Sequence, residues 1–221
     1  MELPVWLTEF PPRFDDKILD VGSGAGELLI YLRTLGYRHL VGVDPYLTKD
    51  LTYPNGVVVY ASEIGDVQGR FDFIMFHHSF EHISDPHTVF DALPGKLVSG
   101  GSVLIRIPVV PSEAWEEYGV DWVQLDAPRH LYLYSRKSLE LLARAHGFKV
   151  TRVVFDSTAA QFWGSEQYRQ DIPLLDPRSH RIDPDGSIFS ITDMRSFEER
   201  AVRANIMETG DQACFLLEAV V

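Results

Sequence analysis

An acid and three alternating glycines near the start of the chain have the residue types and spacing of a nucleotide-binding turn. Asp20 is followed by Gly22, Gly24 and Gly26. Dinucleotide-binding folds use G-x-G-x-x-G, in which the third glycine lets a helix pack close enough to seat a pyrophosphate. Here the third glycine comes one residue early, and Glu27 fills the position that a pyrophosphate binder would keep small. Two carboxylates beside the turn favour a ligand with a positive charge over a diphosphate.

A second acid completes this pattern. Asp44 ends the run Val41-Gly42-Val43, at about the 20-residue offset from the first glycine that is expected of a ribose-binding acid. One carboxylate can accept hydrogen bonds from both hydroxyls of a ribose. Residues 18–44 therefore predict a strand–helix–strand unit that binds a nucleotide with a cationic group. The alternative is a Rossmann-like fold whose glycines serve packing alone.

Residues 18–27 resemble the first motif of the class I S-adenosylmethionine (SAM) methyltransferases, acid-x-G-x-G-x-G. The resemblance implies that the glycine turn lies against the methionine part of SAM, with Asp20 near its amino group and Asp44 on the ribose. It also implies that residues 62–64 contact the adenine, although Ser62 replaces the aspartate that is usual there. The residues implied to bind SAM, and its product S-adenosylhomocysteine, are Asp20, Gly22, Ser23, Gly24, Gly26, Asp44, Pro45, Ser62, Glu63, Ile64 and His77.

Residues 77–86, His-His-Ser-Phe-Glu-His-Ile-Ser-Asp-Pro, resemble the fourth motif of the same superfamily. The form E-H-x-x-D-P is frequent in methyltransferases that act on small molecules such as quinone precursors, sugars and polyketides. The motif follows an apolar strand, and open α/β sheets bind ligands at the carboxyl ends of their strands. The resemblance therefore implies that His77 and His78 lie beside the sulfonium and the methyl acceptor, with His78 on the catalytic side.

The same stretch also has the spacing of two kinds of metal site. His78-x-x-Glu81-His82 matches the H-x-x-E-H of inverted zinc peptidases, but that motif belongs in the middle of a helix and here it follows a strand. Some quinone-pathway relatives hold a divalent cation with E-x-x-E-H, and His78 replaces the first acid. We therefore predict no metal, and expect Glu81 and His82 to cap and orient the loop under the cofactor.

Residues 126–135, together with a helix that ends at Gly147-Phe148, resemble a subgroup carrying P-x-H followed by aromatic residues. His130 is our candidate general base, because an imidazole near its ordinary pKa can remove a proton from a hydroxyl during methyl transfer. Asp126 would orient that imidazole. The alternative is that His130 makes a structural hydrogen bond that fixes the loop. Arg129 would pair with an anion on the substrate or form an ordinary salt bridge.

The elements that must position these residues follow from the apolar pattern. Strands are predicted at about 17–21, 39–44, 57–60, 71–76, 102–107, 148–155 and 213–221, and helices at about 26–35, 86–93, 136–146 and 193–208. Strands that alternate with helices indicate an α/β, Rossmann-like, doubly wound sheet with helices on both faces. We predict seven strands, mostly parallel, with a long insertion before the last one.

The chain is predicted to form a single domain over residues 1–221. Residues 1–16 would be an N-terminal lead-in, 108–135 an irregular active-site loop region, and 157–212 an insertion that acts as a substrate lid or as a contact in a homodimer. Of the aromatic side chains outside the periodic elements, some would fill the core and several would form an apolar wall around the acceptor. These aromatic residues are Trp115, Trp122, Tyr132, Tyr134, Phe162 and Trp163.

Composition excludes several classes of protein. The net charge is −12, from 32 acidic and 20 basic residues, and no basic cluster is present, so we expect no nucleic-acid partner. Cys214 is the single cysteine, which excludes an internal disulfide. No signal-peptide pattern or run of about 20 apolar residues occurs, so we expect no membrane contact and a cytoplasmic location.

Together these residues predict a SAM-dependent methyltransferase that acts on a small molecule, with O-methylation of a sugar or secondary metabolite favoured. One alternative is a SAM-binding protein without turnover, acting as a regulator or scaffold. Another is an NAD(P)-dependent oxidoreductase, which Glu27 and the missing third glycine of the dinucleotide pattern disfavour.

Overall fold

The structure is a computed structural model that describes residues 2–220. It divides into two compact units. The first unit contains the residues up to 107, residues 137–153 and those from 214 onward. The second contains residues 108–136 and 154–213.

Eight strands and seven α-helices are present within residues 2–220. The strands are β1 (Lys17–Val21), β2 (His39–Val43), β3 (Leu51–Thr52), β4 (Val58–Tyr60), β5 (Phe71–His77), β6 (Leu97–Pro108), β7 (Phe148–Phe155) and β8 (Gln212–Ala219). The helices are α1 (Val5–Thr8), α2 (Glu27–Thr34), α3 (Pro86–Lys96), α4 (Glu113–Tyr118), α5 (Arg136–Ala145), α6 (Ala160–Tyr168) and α7 (Ile191–Ile206).

The strands form one sheet in the order β3-β4-β2-β1-β5-β6-β8-β7. The pairs β1–β2, β1–β5, β2–β4 and β5–β6 are parallel, and β3–β4 is antiparallel. Strands β7 and β8 also run antiparallel, because the amide of Val220 donates to the carbonyl of Gly147 and the amide of Asp156 to that of Gln212. The predicted mixed α/β, mostly parallel Rossmann-like sheet is confirmed.

The structure has eight strands within the described residues, one more than the seven predicted. The missed strand, β3, has only two residues, too few to give an apolar period. Strand β6 begins at Leu97, five residues earlier than predicted, because it continues through Gly100 and Gly101. The predicted end of the last strand, Val221, lies outside the described residues.

The central strands are mostly apolar because both faces of a parallel sheet are covered. Ile18, Leu19 and Ile74 are fully buried on β1 and β5. The register pairs Val21 of β1 with Val43 of β2. The carboxyl ends of these neighbouring parallel strands therefore meet at one edge of the sheet, where the polar residues that follow each strand come together.

The second unit has a core of its own. Its fully or nearly fully buried residues come from α4, the turn after it, α6 and α7: Ala114, Tyr118, Trp122, Phe162 and Ala201. The indole N–H of Trp122 donates to Asp211 at 3.0 Å. Trp122 and Phe162 fill the core of this unit, the role predicted for some of these aromatic residues.

Residues 108–135 were predicted to be irregular. The structure differs, because these residues include a short helix, α4. Its signal is Ser112, whose side chain accepts a hydrogen bond from the amide of Trp115 at 3.1 Å and so caps the helix. The predicted insertion contains α6 and α7, and α7 begins with a capping box formed by Ser190 and Asp193. Within residues 2–220 no helix is both long and apolar enough to cross a bilayer.

Candidate functional site

The glycine turn connects β1 to α2 in the first unit. Gly22, Gly24 and Gly26 all have positive φ, at 74°, 54° and 81°, a region that residues with a side chain avoid. A Cβ atom on Gly22 would lie 2.4 Å from the Cβ of Ser79, and one on Gly26 would lie 2.7 Å from Val59. At Gly24 no atom lies within 4 Å of such a Cβ. The first and third glycines thus serve close packing, whereas the middle one faces open space.

Asp44, at the end of β2, holds this turn in place. Its Oδ2 accepts a hydrogen bond from the amide of Gly24 at 2.8 Å, and its Oδ1 accepts one from the amide of Tyr46 at 2.9 Å. The amides of Gly22 and Ser23 donate to the carbonyl of Val43, at 2.8 and 3.2 Å. Each carboxylate oxygen of Asp44 still has a lone pair available for a further donor.

Asp20 is buried beside this turn, with 3% of its surface exposed. Within residues 2–220 its carboxylate accepts no hydrogen bond, and its pKa is raised to about 7, first by burial and then by the nearby charge of Asp44. The hydroxyl of Ser23 is also buried, and it has no hydrogen-bond partner in the described part of the chain. A buried carboxylate without a donor is costly, and a cation bound beside it would remove that cost.

A second cluster lies where β5 ends. The ring of His77 stacks on Trp6, with centroids 4.4 Å apart and planes 12° from parallel. The pKa of His77 is lowered to about 3, chiefly by burial and then by the positive charge of Arg106 and the neighbouring His78. His77 is therefore a neutral imidazole at neutral pH.

Arg106 determines which nitrogen of the neutral His78 ring carries the proton. It pairs with His77 in the β5–β6 register, and its Nη1 donates to Nε2 of His78. Because Nε2 of His78 accepts this bond, the neutral ring carries its proton on Nδ1, which lies 3.4 Å from Oε1 of the buried Glu81. His78 has a φ of 52°, a strained conformation for a residue with a side chain.

Sequence reasoning missed both Trp6 and Arg106. Trp6 lies in the predicted lead-in, and nothing in its neighbours marks it as a ring that stacks on a histidine. Arg106 did leave a signal, since it is the one charged residue within the run Val103-Leu104-Ile105-Arg106-Ile107. It is 8% exposed, and an arginine is seldom buried unless it is paired.

The H-x-x-E-H spacing lies on a strand end and a short turn. His78 follows β5, and Phe80–His82 form a 3₁₀ turn rather than the middle of an α-helix. This is not the local structure that a zinc peptidase places under its metal ligands. The hydroxyl of Ser79 donates to the carbonyl of Val21 at 2.5 Å and so joins this turn to the end of β1.

The residues expected at the adenine differ in exposure. Ile64 is buried, Ser62 is half-buried and Glu63 is exposed, and the carbonyl of Glu63 accepts a bond from the amide of Asp66 at 3.1 Å. Pro45 is exposed just after Asp44. Their contact with an adenine stays a prediction.

His130 and Asp126 lie in the second unit. Nδ1 of His130 donates to the carbonyl of Gln124 at 2.7 Å, so Nε2 is the basic nitrogen of the neutral ring. Oδ2 of Asp126 lies 3.7 Å from that Nε2 and forms a salt bridge of 2.5 Å with Arg129. The bond that orients the imidazole thus comes from Gln124, which sequence reasoning missed, and Arg129 forms an ordinary salt bridge.

A family model described as a methyltransferase domain matches residues 5–153. No curated protein matches the chain.

Solved structures give the same fold at low sequence identity. A SAM-dependent methyltransferase from Thermotoga maritima matches with a TM-score of 0.58 and 14% identity, over 97% of this chain and 85% of that one. The cyclopropane synthase MmaA2 from Mycobacterium tuberculosis matches with a TM-score of 0.58 and 16% identity, over 96% and 81%. The magnesium protoporphyrin IX methyltransferase from Synechocystis, with bound SAH, matches with a TM-score of 0.51 and 16% identity, over 69% and 73%.

Proposed function

The chain belongs to the methyltransferase-domain family, and on that premise we propose that it transfers the methyl group of SAM to a small molecule. SAM is a sulfonium with an α-ammonium group and an adenosine, so its site must offer negative charge, ribose acceptors and an apolar adenine contact. At the glycine turn, Asp20 would offer the negative charge and Asp44 the ribose acceptors. S-adenosylhomocysteine would be the product that leaves the site.

The observation that carries this proposal is the state of Asp20. Its carboxylate is buried, accepts no hydrogen bond within the described residues, and has a raised pKa. The α-ammonium group of SAM would donate to it and restore the charged form. A dinucleotide would instead place a diphosphate beside this acid, which is repulsive. This contrast favours SAM over NAD(P).

Asp44 would hold the ribose of SAM. Both of its oxygens already accept backbone amides, which fixes the carboxylate while leaving one lone pair on each oxygen. The open space beside Gly24 gives the ligand room at the turn. Pro45 and residues 62–64 would contact the adenine, and Ser23 would offer its buried hydroxyl.

The bound sulfonium would supply an already activated methyl group, so the protein has to align the acceptor and take its proton. His77 and His78 would line the reaction side. The neutral state of His77 suits this position, because an imidazolium group would repel the sulfonium. We assign the general base to His130, since Gln124 fixes its ring with Nε2 as the basic nitrogen. Asp126 would then stabilise the imidazolium that forms.

The acceptor is proposed to be a small molecule methylated at oxygen, with a sugar or secondary metabolite favoured. A general base is needed for a hydroxyl, whereas a neutral amine attacks with its own lone pair and needs less help. The net charge of −12 disfavours a nucleic acid. The segment of residues 157–212 is proposed to act as a substrate lid or as a homodimer contact.

SAM and 5′-methylthioadenosine, which lacks both the amino-acid group and the positive charge on sulfur, test the cofactor assignment. At pH 8, titration calorimetry should show SAM binding about 10- to 100-fold more weakly to Asp20→Asn than to the wild type, the cost of one charge-assisted hydrogen bond. 5′-Methylthioadenosine lacks the amino-acid group, so its affinity should be the same for both proteins. Equal loss for both ligands would contradict the ammonium role of Asp20. Tight SAM binding with no turnover on any acceptor would favour the scaffold alternative.

A further inference from the structure

Three side chains of the first unit form a connected chain away from the glycine turn. Oδ1 of Asp91 accepts a hydrogen bond from Nδ1 of His146 at 2.7 Å. On the other side of that ring, Nε2 of His146 lies 2.8 Å from Nδ1 of His87. His87 and Asp91 are one turn apart on α3, and His146 follows α5. None of the three has a role in the proposed methyl transfer.

We propose that His87 and His146 bind a divalent transition-metal ion, with Asp91 positioning His146. Imidazole nitrogens are the commonest protein ligands of Zn²⁺, Ni²⁺ and Cu²⁺. With bonds of about 2.0 Å, two nitrogens at 90° around an ion lie about 2.8 Å apart, and at a tetrahedral angle about 3.3 Å. The observed 2.8 Å therefore brings the two nitrogens close enough to share one ion.

The rings have the freedom and the support that such a site needs. His87 is exposed, so its ring can turn until its Nδ1 lone pair points at the ion, with the proton carried on Nε2. His146 is held more firmly, because Phe90 stacks on it at 5.6 Å between centroids. The backbone of His87 is also fixed, since its amide donates to Asp85 at 3.0 Å as part of the cap of α3.

Asp91 gives His146 the tautomer that a metal requires. By accepting the Nδ1 proton, it leaves Nε2 with the lone pair that faces His87. Carboxylate–histidine pairs of this kind orient the ring and raise its basicity in known metal sites. Mutation of the carboxylate in such pairs lowers metal affinity by about 10- to 100-fold.

Electrostatics around the pair favour a cation. His146 lies at the C-terminal end of α5, where the helix dipole attracts positive charge, and Asp85 and Asp91 add two carboxylates. His87 lies at the N-terminal end of α3, where the helix dipole has the opposite sign and offsets part of this attraction. The competing interpretation is that the two rings share a proton and serve only to join α3 to the end of α5.

Calorimetric titration with Ni²⁺ distinguishes these two interpretations. The wild type should bind one equivalent that is lost in both His87→Ala and His146→Ala and retained in the control His39→Ala, which removes an exposed histidine elsewhere on the first unit. Asp91→Asn should bind the same equivalent about 10- to 100-fold more weakly. Mg²⁺ should not replace Ni²⁺, because a hard cation prefers oxygen ligands.

A thermal measurement provides a second readout on the same proteins. Ni²⁺ should raise the unfolding temperature of the wild type and of His39→Ala, because the ion joins two elements only in the folded chain, and should not raise that of His87→Ala. Circular dichroism confirms that the variants fold. If the wild type, His87→Ala and His146→Ala bind the same number of Ni²⁺ ions with the same affinity, the pair is a hydrogen bond and the proposal is wrong.

Discussion

The carboxylate of Asp44 accepts a hydrogen bond of 2.8 Å from the amide of Gly24. The acid at the end of β2 therefore holds the turn that follows β1, and the two motifs found separately in the sequence form one structure. A ligand that meets the turn would also meet the acid. This coupling means that changes at Asp44 should affect both the shape of the turn and the affinity for the ribose.

Asp44→Ala should weaken SAM binding by about 100-fold or more, because it removes the ribose acceptor and two bonds to backbone amides. Titration calorimetry of the folded variant measures this change. Asp50→Ala is the matched control, since Asp50 is an exposed acid that also accepts a backbone amide, that of Ala61 at 2.8 Å. Unchanged SAM affinity in Asp44→Ala would refute the ribose role.

The first and second glycines of the turn should respond differently to alanine. Gly22→Ala combines a positive φ with a contact of 2.4 Å to Ser79, and should lower the free energy of unfolding by about 2–4 kcal/mol. Gly24→Ala adds only the backbone strain and should cost about 1 kcal/mol. Urea unfolding of both variants measures these costs. Equal costs would mean that the contact with Ser79 relaxes freely.

Asp20 and His77 should give the unfolding free energy opposite dependences on pH. The folded pKa of Asp20 is raised to about 7 from 3.8, so the folded state holds the extra proton and its stability falls as pH rises between these values. The folded pKa of His77 is lowered to about 3 from 6.5, so stability rises with pH between about 3 and 6.5. Below about pH 3 this dependence ends, because His77 is then protonated in both the folded and the unfolded states.

Replacing Asp20 separates these two effects. Asp20→Asn should be more stable than the wild type at pH 8 by at most about 4 kcal/mol, and the difference should disappear near pH 4. Urea unfolding of the ligand-free proteins between pH 4 and 8 measures it. A difference that does not change with pH would show that Asp20 is not a buried acid with a raised pKa.

Arg106→Gln should raise the pKa of His77, because it removes the positive charge beside the ring while burial by Trp6 remains. Trp6→Ala should raise it further, since burial is the larger cause. NMR titration of the histidine ring carbons gives both values. Arg38→Gln is the control, because Arg38 is exposed and pairs with Asp15. The pKa of His77 should stay the same in that variant, and a rise equal to that in Arg106→Gln would contradict the charge effect.

His130→Ala should lower the turnover of a hydroxyl acceptor by about 10²- to 10⁴-fold while leaving SAM affinity unchanged. Formation of S-adenosylhomocysteine with time measures turnover, and the pH profile of the wild type should show one group that must be deprotonated. Asp126→Asn should have a smaller effect, because Gln124 still orients the ring. Near-full turnover in His130→Ala would mean that this histidine only fixes its loop.

The sequence allowed the sheet to be predicted because its signals are local. The strands near Ile18 and Ile74 are apolar runs, and Asp85-Pro86 marks the start of α3 with a side-chain cap. The glycine turn and Asp44 were also predicted together, since a parallel sheet brings consecutive strand ends to one edge.

Other parts of the site depend on distant contacts and left little trace. The stack of Trp6 on His77 joins residues 71 positions apart, and no period connects them. The tautomer of His78 depends on Arg106, which lies on another strand. The sequence did not distinguish the aromatic residues that fill a core, because Trp122 follows α4 in an irregular stretch and only the packing of α6 and α7 around it makes it core.

The central claim is that the site binds an adenosyl sulfonium, and thermal unfolding with SAM, S-adenosylhomocysteine and NAD(H) in parallel tests it most directly. A ligand at about 100 times its dissociation constant adds about 2.7 kcal/mol, which for a chain of 221 residues is a shift of roughly 5–10 °C. We expect this shift with the two adenosyl ligands and none with NAD(H). A shift with NAD(H) alone would contradict the account and identify the glycine turn as a dinucleotide site.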